Sequence, residues 1–138
     1  MNLDVLSKSD PQVIVYMKEV QGVGNQQRVI PTTWTELGRT EIIWDNLNPK
    51  FVKSFIIDYR FEVNQYLKFV VIDIDNQHSR NLDDQELIGQ IECTVGEIVG
   101  SRGSRLDRKL IHPQYPTKQR GYIHVRAEEV QGINDVVH

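Results

Sequence analysis

Asp73 and Asp75 stand two residues apart at the end of an apolar run, LKFVVIDID (67–75). On a strand, residues i and i+2 share a face, with Cα atoms roughly 6.5–7 Å apart. Two carboxylates so placed repel each other unless a cation sits between them. A hard cation such as Ca²⁺ takes about six to eight oxygens at about 2.3–2.6 Å, which carboxylates can supply. Further acids, Asp83, Asp84 and Glu86, follow across a polar loop. A solvated acidic loop accounts for the same letters, so the pair alone does not make a site.

Three other chemistries fit the letters less well. A helix–loop–helix calcium site starting at Asp73 has His78 where its sharp turn needs glycine, and Asp84 where a bidentate Glu is needed. The phosphoryl-transfer aspartate pair of haloacid-dehalogenase type wants Thr or Val where Gln77 stands, and a helix-rich parallel fold. An aspartic-protease motif needs Thr-Gly or Ser-Gly after the aspartate, which is absent. The four histidines, His78, His112, His124 and His138, are scattered and read as surface residues.

The elements that must carry these acids are strands. QVIVYMKEV (12–20), WTELGRTEIIW (34–44), FVKSFIIDY (51–59), YLKFVVIDI (66–74), LIGQIECTV (87–95) and GYIHVRAEE (121–129) are rich in β-branched and aromatic residues. In 66–74 both faces turn apolar towards the end, which predicts a central strand. In 121–129, Ile123, Val125 and Ala127 alternate with His124, Arg126 and Glu128, which predicts one wet face. Turn signals separate the runs, from SDP (9–11) to GSRGSR (100–105), and only VGEIVG (95–100) suggests a helical turn. Short strands at such intervals predict an all-β sandwich or barrel. The basic stretch SRGSRLDRKL (101–110), with Lys118 and Arg120 nearby, reads as a solvated loop.

The 138 residues suit one domain around one core. A net charge of −3 argues against a general nucleic-acid role. No apolar run is long enough for a transmembrane helix, and MNLDVLSKSDP lacks the pattern of a signal peptide. The single cysteine, Cys93, allows no intrachain disulfide and reads as a small buried hydrophobe in a strand.

Four motifs in order, DVLSKSDP (4–11), DNLNPKFVKSF (45–55), VVIDID (70–75) and ELIG (86–89), resemble the C2 domain family. More narrowly, SKSDP, RTEIIWDNLNPKFVKSFIIDYRFE (39–62), LKFVVIDIDN and AEE (127–129) resemble the first C2 domain of copines, and the resemblance covers residues 2–130. It implies an antiparallel β-sandwich with calcium ligands from two loops at one end. Carried over, the first loop offers Asp4 and Asp10, and the third offers Asp73 and Asp75. The last ligand is Glu86, before Leu87, Ile88 and Gly89, or Asp84 in its place, with Asp83 a third choice.

The resemblance further implies two or more Ca²⁺ ions and anionic phospholipid of phosphatidylserine type. Target proteins are possible partners, and no enzymatic activity is expected. Lipid contact falls to Val5, Leu6, Lys8 and Arg80, with Lys50 and Lys53 on the strand side. The expected location is the cytoplasm, with calcium-dependent association to the cytosolic face of the plasma membrane or other membranes. The expected domain is 1–130, followed by a flexible tail, 131–138. Because NLDVL begins so near Met1, the strand that precedes the first calcium loop in this family is expected to be missing, which would leave an unpaired sheet edge.

Overall fold

The computed structural model of the chain describes residues 2–6, 11–21, 33–42, 50–51, 53–60, 63–74, 86–117 and 121–129. Among these, seven strands form two antiparallel sheets. The strands are β1 (Asn2–Leu6), β2 (Pro11–Gln21), β3 (Thr35–Arg39), β4 (Val63–Asp73), β5 (Glu86–Thr94), β6 (Arg105–Lys109) and β7 (Tyr122–Arg126). One sheet has the order β1-β7-β6 and the other β3-β2-β4-β5. The all-β sandwich expected from the periodicity is therefore present, and β4 is central, paired with β2 on one side and β5 on the other.

The main core lies between the sheets. Val13 and Val15 of β2, Leu67, Phe69 and Val71 of β4, and Ile91 and Cys93 of β5 pack against Leu106 of β6 and Ile123 and Val125 of β7. Alternation puts the intervening residues of the four-stranded sheet on its outer face. There Ile14, Val70, Ile72 and Ile74 form a second cluster, with Tyr16, Ile42 and Leu87 against it. The apolar character of both faces of β4 thus reflects two separate clusters.

Two buried polar side chains fix the strand edges. Thr40 Oγ1 accepts a hydrogen bond from the Val13 amide at 2.9 Å and donates to the Glu41 carbonyl at 3.0 Å, tying the end of β3 to β2. Gln65 accepts from the Arg60 amide at 2.9 Å and donates to the Asp58 carbonyl at 2.8 Å. Satisfied this way, they avoid the penalty of a buried unpaired polar group.

A short helix, α1 (Val95–Gly100), carries the chain from β5 towards β6. Thr94 caps it, its hydroxyl accepting from the Glu97 amide at 3.0 Å, while Val95 and Ile98 are buried. Beyond β6, Leu110 and Ile111 lie against β5: Gln90 and Ile111 exchange backbone hydrogen bonds of 2.9 and 3.1 Å. Gly89 makes that approach possible, since a Cβ there would stand 2.8 Å from Leu110 Cβ and 3.2 Å from the Ile111 nitrogen.

Four expectations are corrected. An N-terminal strand does form, because Asn2–Leu6 pairs with β7 and completes that edge. Arg105–Lys109 is a strand rather than a loop, with Leu106 as its inward anchor. Residues 53–60 belong to neither sheet. Phe51 and Phe55 do face the core, but backbone groups of this segment bond side chains, as Lys53 N–H does to Glu41, or close a local turn, as the Arg60 carbonyl does by accepting from the Val63 amide. The strand expected over 34–44 is confined to Thr35–Arg39, and Ile43, Trp44 and the tail 131–138 lie outside the described residues.

Candidate metal centre

The strand register places the stems of the two acid-bearing loops side by side. Pro11, the first residue of β2, is the Cα partner of Asp73, the last residue of β4. Asp73 is in turn the partner of Glu86, the first residue of β5. Pro11, Asp73 and Glu86 therefore form one row across three adjacent strands at one end of the sheet. Paired residues of an antiparallel ladder share a face. Val13 and Val71, two residues inward on β2 and β4, are core residues, so the row lies on the face turned towards the other sheet, at the mouth of the sandwich.

A bulge sets this arrangement. Val71 pairs with Gly89 and Ile72 with Leu87, so Ile88 is the extra residue on β5. The bulge sends Ile88 into the main core and Leu87 into the outer cluster, and restores the register by which Glu86 meets Asp73. In the sequence, Asp10 directly precedes Pro11, and Asp75 lies two residues beyond Asp73. Lys8, Asp10, Asp75, Arg80, Asp83 and Asp84 lie outside the described residues. Asp73 is partly buried and Glu86 exposed. The donor set is made of hard oxygens, which fits Ca²⁺ rather than a soft metal. Among the described residues no group of three or more His, Cys, Asp or Glu comes together, so a full shell needs the loop acids.

Asp4 stands elsewhere. It lies within β1 as the partner of His124, while Val5 and Leu6 continue the strand opposite Ile123 and Tyr122. The reading of these three as loop residues is corrected: their backbone is extended and paired.

Two arginines of the basic stretch expected as a loop form ion pairs within the domain. Arg105 Nε donates to Asp107 at 2.9 Å, and Arg108 donates to Glu97 of α1 at 3.0 Å. Arg126 on β7 pairs with Glu128. His124 Nδ1 lies 2.5 Å from the Asp107 carboxylate. That contact, followed by the Arg105 hydrogen bond, holds the Asp107 carboxyl below its ordinary range. Cys93 is buried as expected, and burial, with Glu97 second, pushes its thiol up to about 12.

One surface feature escaped the sequence reading. On the outer face of the four-stranded sheet, Lys18 Nζ lies 4.6 Å from the Trp34 ring centroid and Lys68 Nζ lies 4.8 Å from it. Tyr66 and Tyr16 flank the two ammonium groups at 5.4 and 5.2 Å. The indole thus bridges β2 and β4 just before β3 begins, which latches that edge strand. The signal lay in the repeated Tyr-x-Lys spacing of Tyr16/Lys18 and Tyr66/Lys68, which puts each pair on one face.

Comparison with known proteins agrees with this architecture. Residues 1–110 match the C2 domain family. Copine-B of Dictyostelium discoideum is 38% identical over 132 residues, covering 94% of this chain and 23% of the relative. Copine-D of the same organism is 41% identical over 109 residues, covering 78% and 19%. Nicotinic receptor-associated protein 1 of Caenorhabditis elegans is 39% identical over 106 residues, covering 72% and 17%. The chain thus spans at most 23% of the length of these curated relatives. With a matched family over most of its length and copines among its relatives, the chain belongs to the C2 domain family and is of copine type.

Proposed function

We propose that this domain binds anionic phospholipid membranes in a calcium-dependent manner and performs no catalysis. The observation that carries the reading is the row Pro11–Asp73–Glu86, which brings the stems of both acidic loops to one mouth of the sandwich. Asp10, Asp73, Asp75 and Glu86 or Asp84 surround two or more Ca²⁺ ions there. The ions replace a negative local potential with a neutral or positive one. Headgroups of phosphatidylserine type complete the open coordination positions. Lys8 and Arg80 add roughly 1 kcal/mol each near an anionic leaflet. The domain recruits its protein from the cytoplasm to the cytosolic face of the plasma membrane or of other membranes.

Co-sedimentation with phosphatidylserine vesicles tests this. The chain pellets with vesicles in Ca²⁺ and stays in solution in EGTA. Equal pelleting under both conditions, unchanged in Asp73→Asn, points instead to a calcium-independent protein-interaction sandwich.

A further inference from the structure

We infer that the turn between His112 and Tyr115 is a second membrane-contacting element, which rests on an anionic bilayer beside the mouth of the sandwich. The inference depends on the membrane reading above. Strand β5 begins at the mouth with Glu86. At Ile111 the chain runs antiparallel to β5, opposite Gln90, and so heads towards the mouth. Gln90 is four residues along β5 from Glu86, a distance of about 13 Å. The turn lies on the mouth side of that crossing. An antiparallel bridge between His112 and Tyr115 closes it, with Pro113 and Gln114 at the tip.

Pressing a loop into a lipid interface is costly when its unbonded N–H groups lose water. This turn has little to lose. Pro113 and Pro116 carry no N–H. Ile111 N–H donates to the Gln90 carbonyl at 3.1 Å, and Tyr115 N–H to the His112 carbonyl at 3.0 Å. Gln114 N–H donates to His112 Nδ1 at 3.1 Å. That accounts for every backbone donor of 111–116 except the His112 amide. The His112 and Tyr115 rings, with centroids 5.1 Å apart, stiffen the turn further.

Its side chains suit the water–lipid boundary. Ile111 is 49% exposed and Tyr115 50%, and every residue of 111–117 except His112 is exposed. Tyrosine has an apolar ring and a polar tip, the combination that settles at membrane interfaces. A projecting tip fits a deformable lipid surface without needing a groove shaped to receive it. Charge favours the same occupant. From Arg108 to Ala127 the sequence has no Asp or Glu, yet it carries Arg108, Lys109, Lys118, Arg120 and Arg126, in a chain whose net charge is −3. That local excess complements an anionic leaflet. Contact at the turn as well as at the mouth fixes how the domain lies on the membrane.

An environment-sensitive dye on Gln114→Cys tests this in the whole chain. Cys93 is buried and its thiol is pushed up to about 12, so the new thiol reacts selectively. Asn64→Cys, exposed near the opposite end of β4, is the control. With mixed phosphatidylserine–phosphatidylcholine vesicles and Ca²⁺, the dye at position 114 is expected to brighten and shift to shorter wavelength. The dye at position 64 is expected to stay unchanged. Pelleting with a water-like signal at position 114 overturns the inference and leaves the membrane reading standing; the turn then faces solvent or a protein partner. No pelleting of the unlabelled chain overturns both.

A double variant gives the second measurement. Ile111→Ser with Tyr115→Ser is expected to bind the same vesicles roughly tenfold more weakly, through lost apolar contact. Its calcium heat without vesicles should match the unmodified chain. Equal vesicle affinity overturns the inference. If the double variant does not fold, the dye at position 114 decides.

Discussion

The two sheets treat their acids in opposite ways. On the outer face of the three-stranded sheet, Asp107 lies beside a histidine and an arginine, and elsewhere on β6 Arg108 is reached by Glu97 from the neighbouring helix. Those charges are balanced within the domain. At the mouth of the four-stranded sheet, the ladder neighbour of Asp73 is another acid, Glu86, and the sequence on either side supplies Asp10 and Asp75. Acid set beside base makes local electrostatics, while acid set beside acid at a strand end is the arrangement on which the proposed cation site rests. The residue types are the same in both regions. What differs is what the register puts opposite them.

The sharpest way to break this contrast is one isosteric change in each region. Asp73→Asn is expected to weaken calcium affinity by at least roughly an order of magnitude, since affinity in such sites follows ligand charge. Vesicle pelleting at limiting Ca²⁺ should fall in parallel. Asp107→Asn removes the same charge and should leave both unchanged. Isothermal calorimetry and co-sedimentation read the two variants side by side. Equal losses, or none in either, would erase the distinction between the regions.

A smaller effect is expected where the two sheets are joined beneath the mouth. Gly89→Ala puts a methyl 2.8 Å from Leu110 Cβ and 3.2 Å from backbone of the same crossing. Backbone atoms cannot step aside as a flexible side chain does, so the change should cost about 1–3 kcal/mol, the usual range for overpacking. A lowered urea midpoint with unchanged slope is the expected observation. Because Gly89 follows the bulge that aligns Glu86 with Asp73, calcium affinity should weaken as well. A wild-type midpoint would mean that the crossing is looser than its distances imply.

The sequence carried the hydrophobic side of this fold better than its hydrogen bonds. Val13 and Val15, Leu67, Phe69 and Val71, and Ile123 and Val125 alternate strictly, and all lie in the core. Phe51 and Phe55 are buried too, but alternation reports which way side chains face and not whether a ladder partner exists, so the strand expected over 51–59 is absent over 53–59. Strand β6 went unseen for the opposite reason. In RLDRK only Leu106 is apolar, and Arg105 and Arg108 are exposed residues with ion-pair partners, Arg108 at a position on the same face as Leu106. The candidate site was legible as a set of acids, because Asp73 closes an apolar strand. That Glu86 lies level with it depends on the bulge at Ile88, which no spacing rule displays. The placing of Asp4 depends on which edge β1 joins, a tertiary choice that overrides the local resemblance to a loop.

The smallest expected effect tests the balanced half of the contrast through pH. Asp107 has its carboxyl pKa lowered, first by the His124 hydrogen bond and then by Arg105. A carboxyl depressed in the folded state adds stability that is fully present above its unfolded pKa. That stability is lost as pH falls through the folded value, because the unfolded chain then binds the proton more readily. The window therefore lies at and below the ordinary carboxylate range, and neutral pH should show no slope from this group. The pair is about half exposed, so solvent screening keeps its contribution small. Asp107→Asn should flatten the acid limb of a stability–pH profile slightly while leaving the mouth's calcium response intact. If the acid limb is unchanged, the Asp107 pairing contributes nothing to folding, and the outer face owes its order to the Leu106 anchor and the β7 ladder alone.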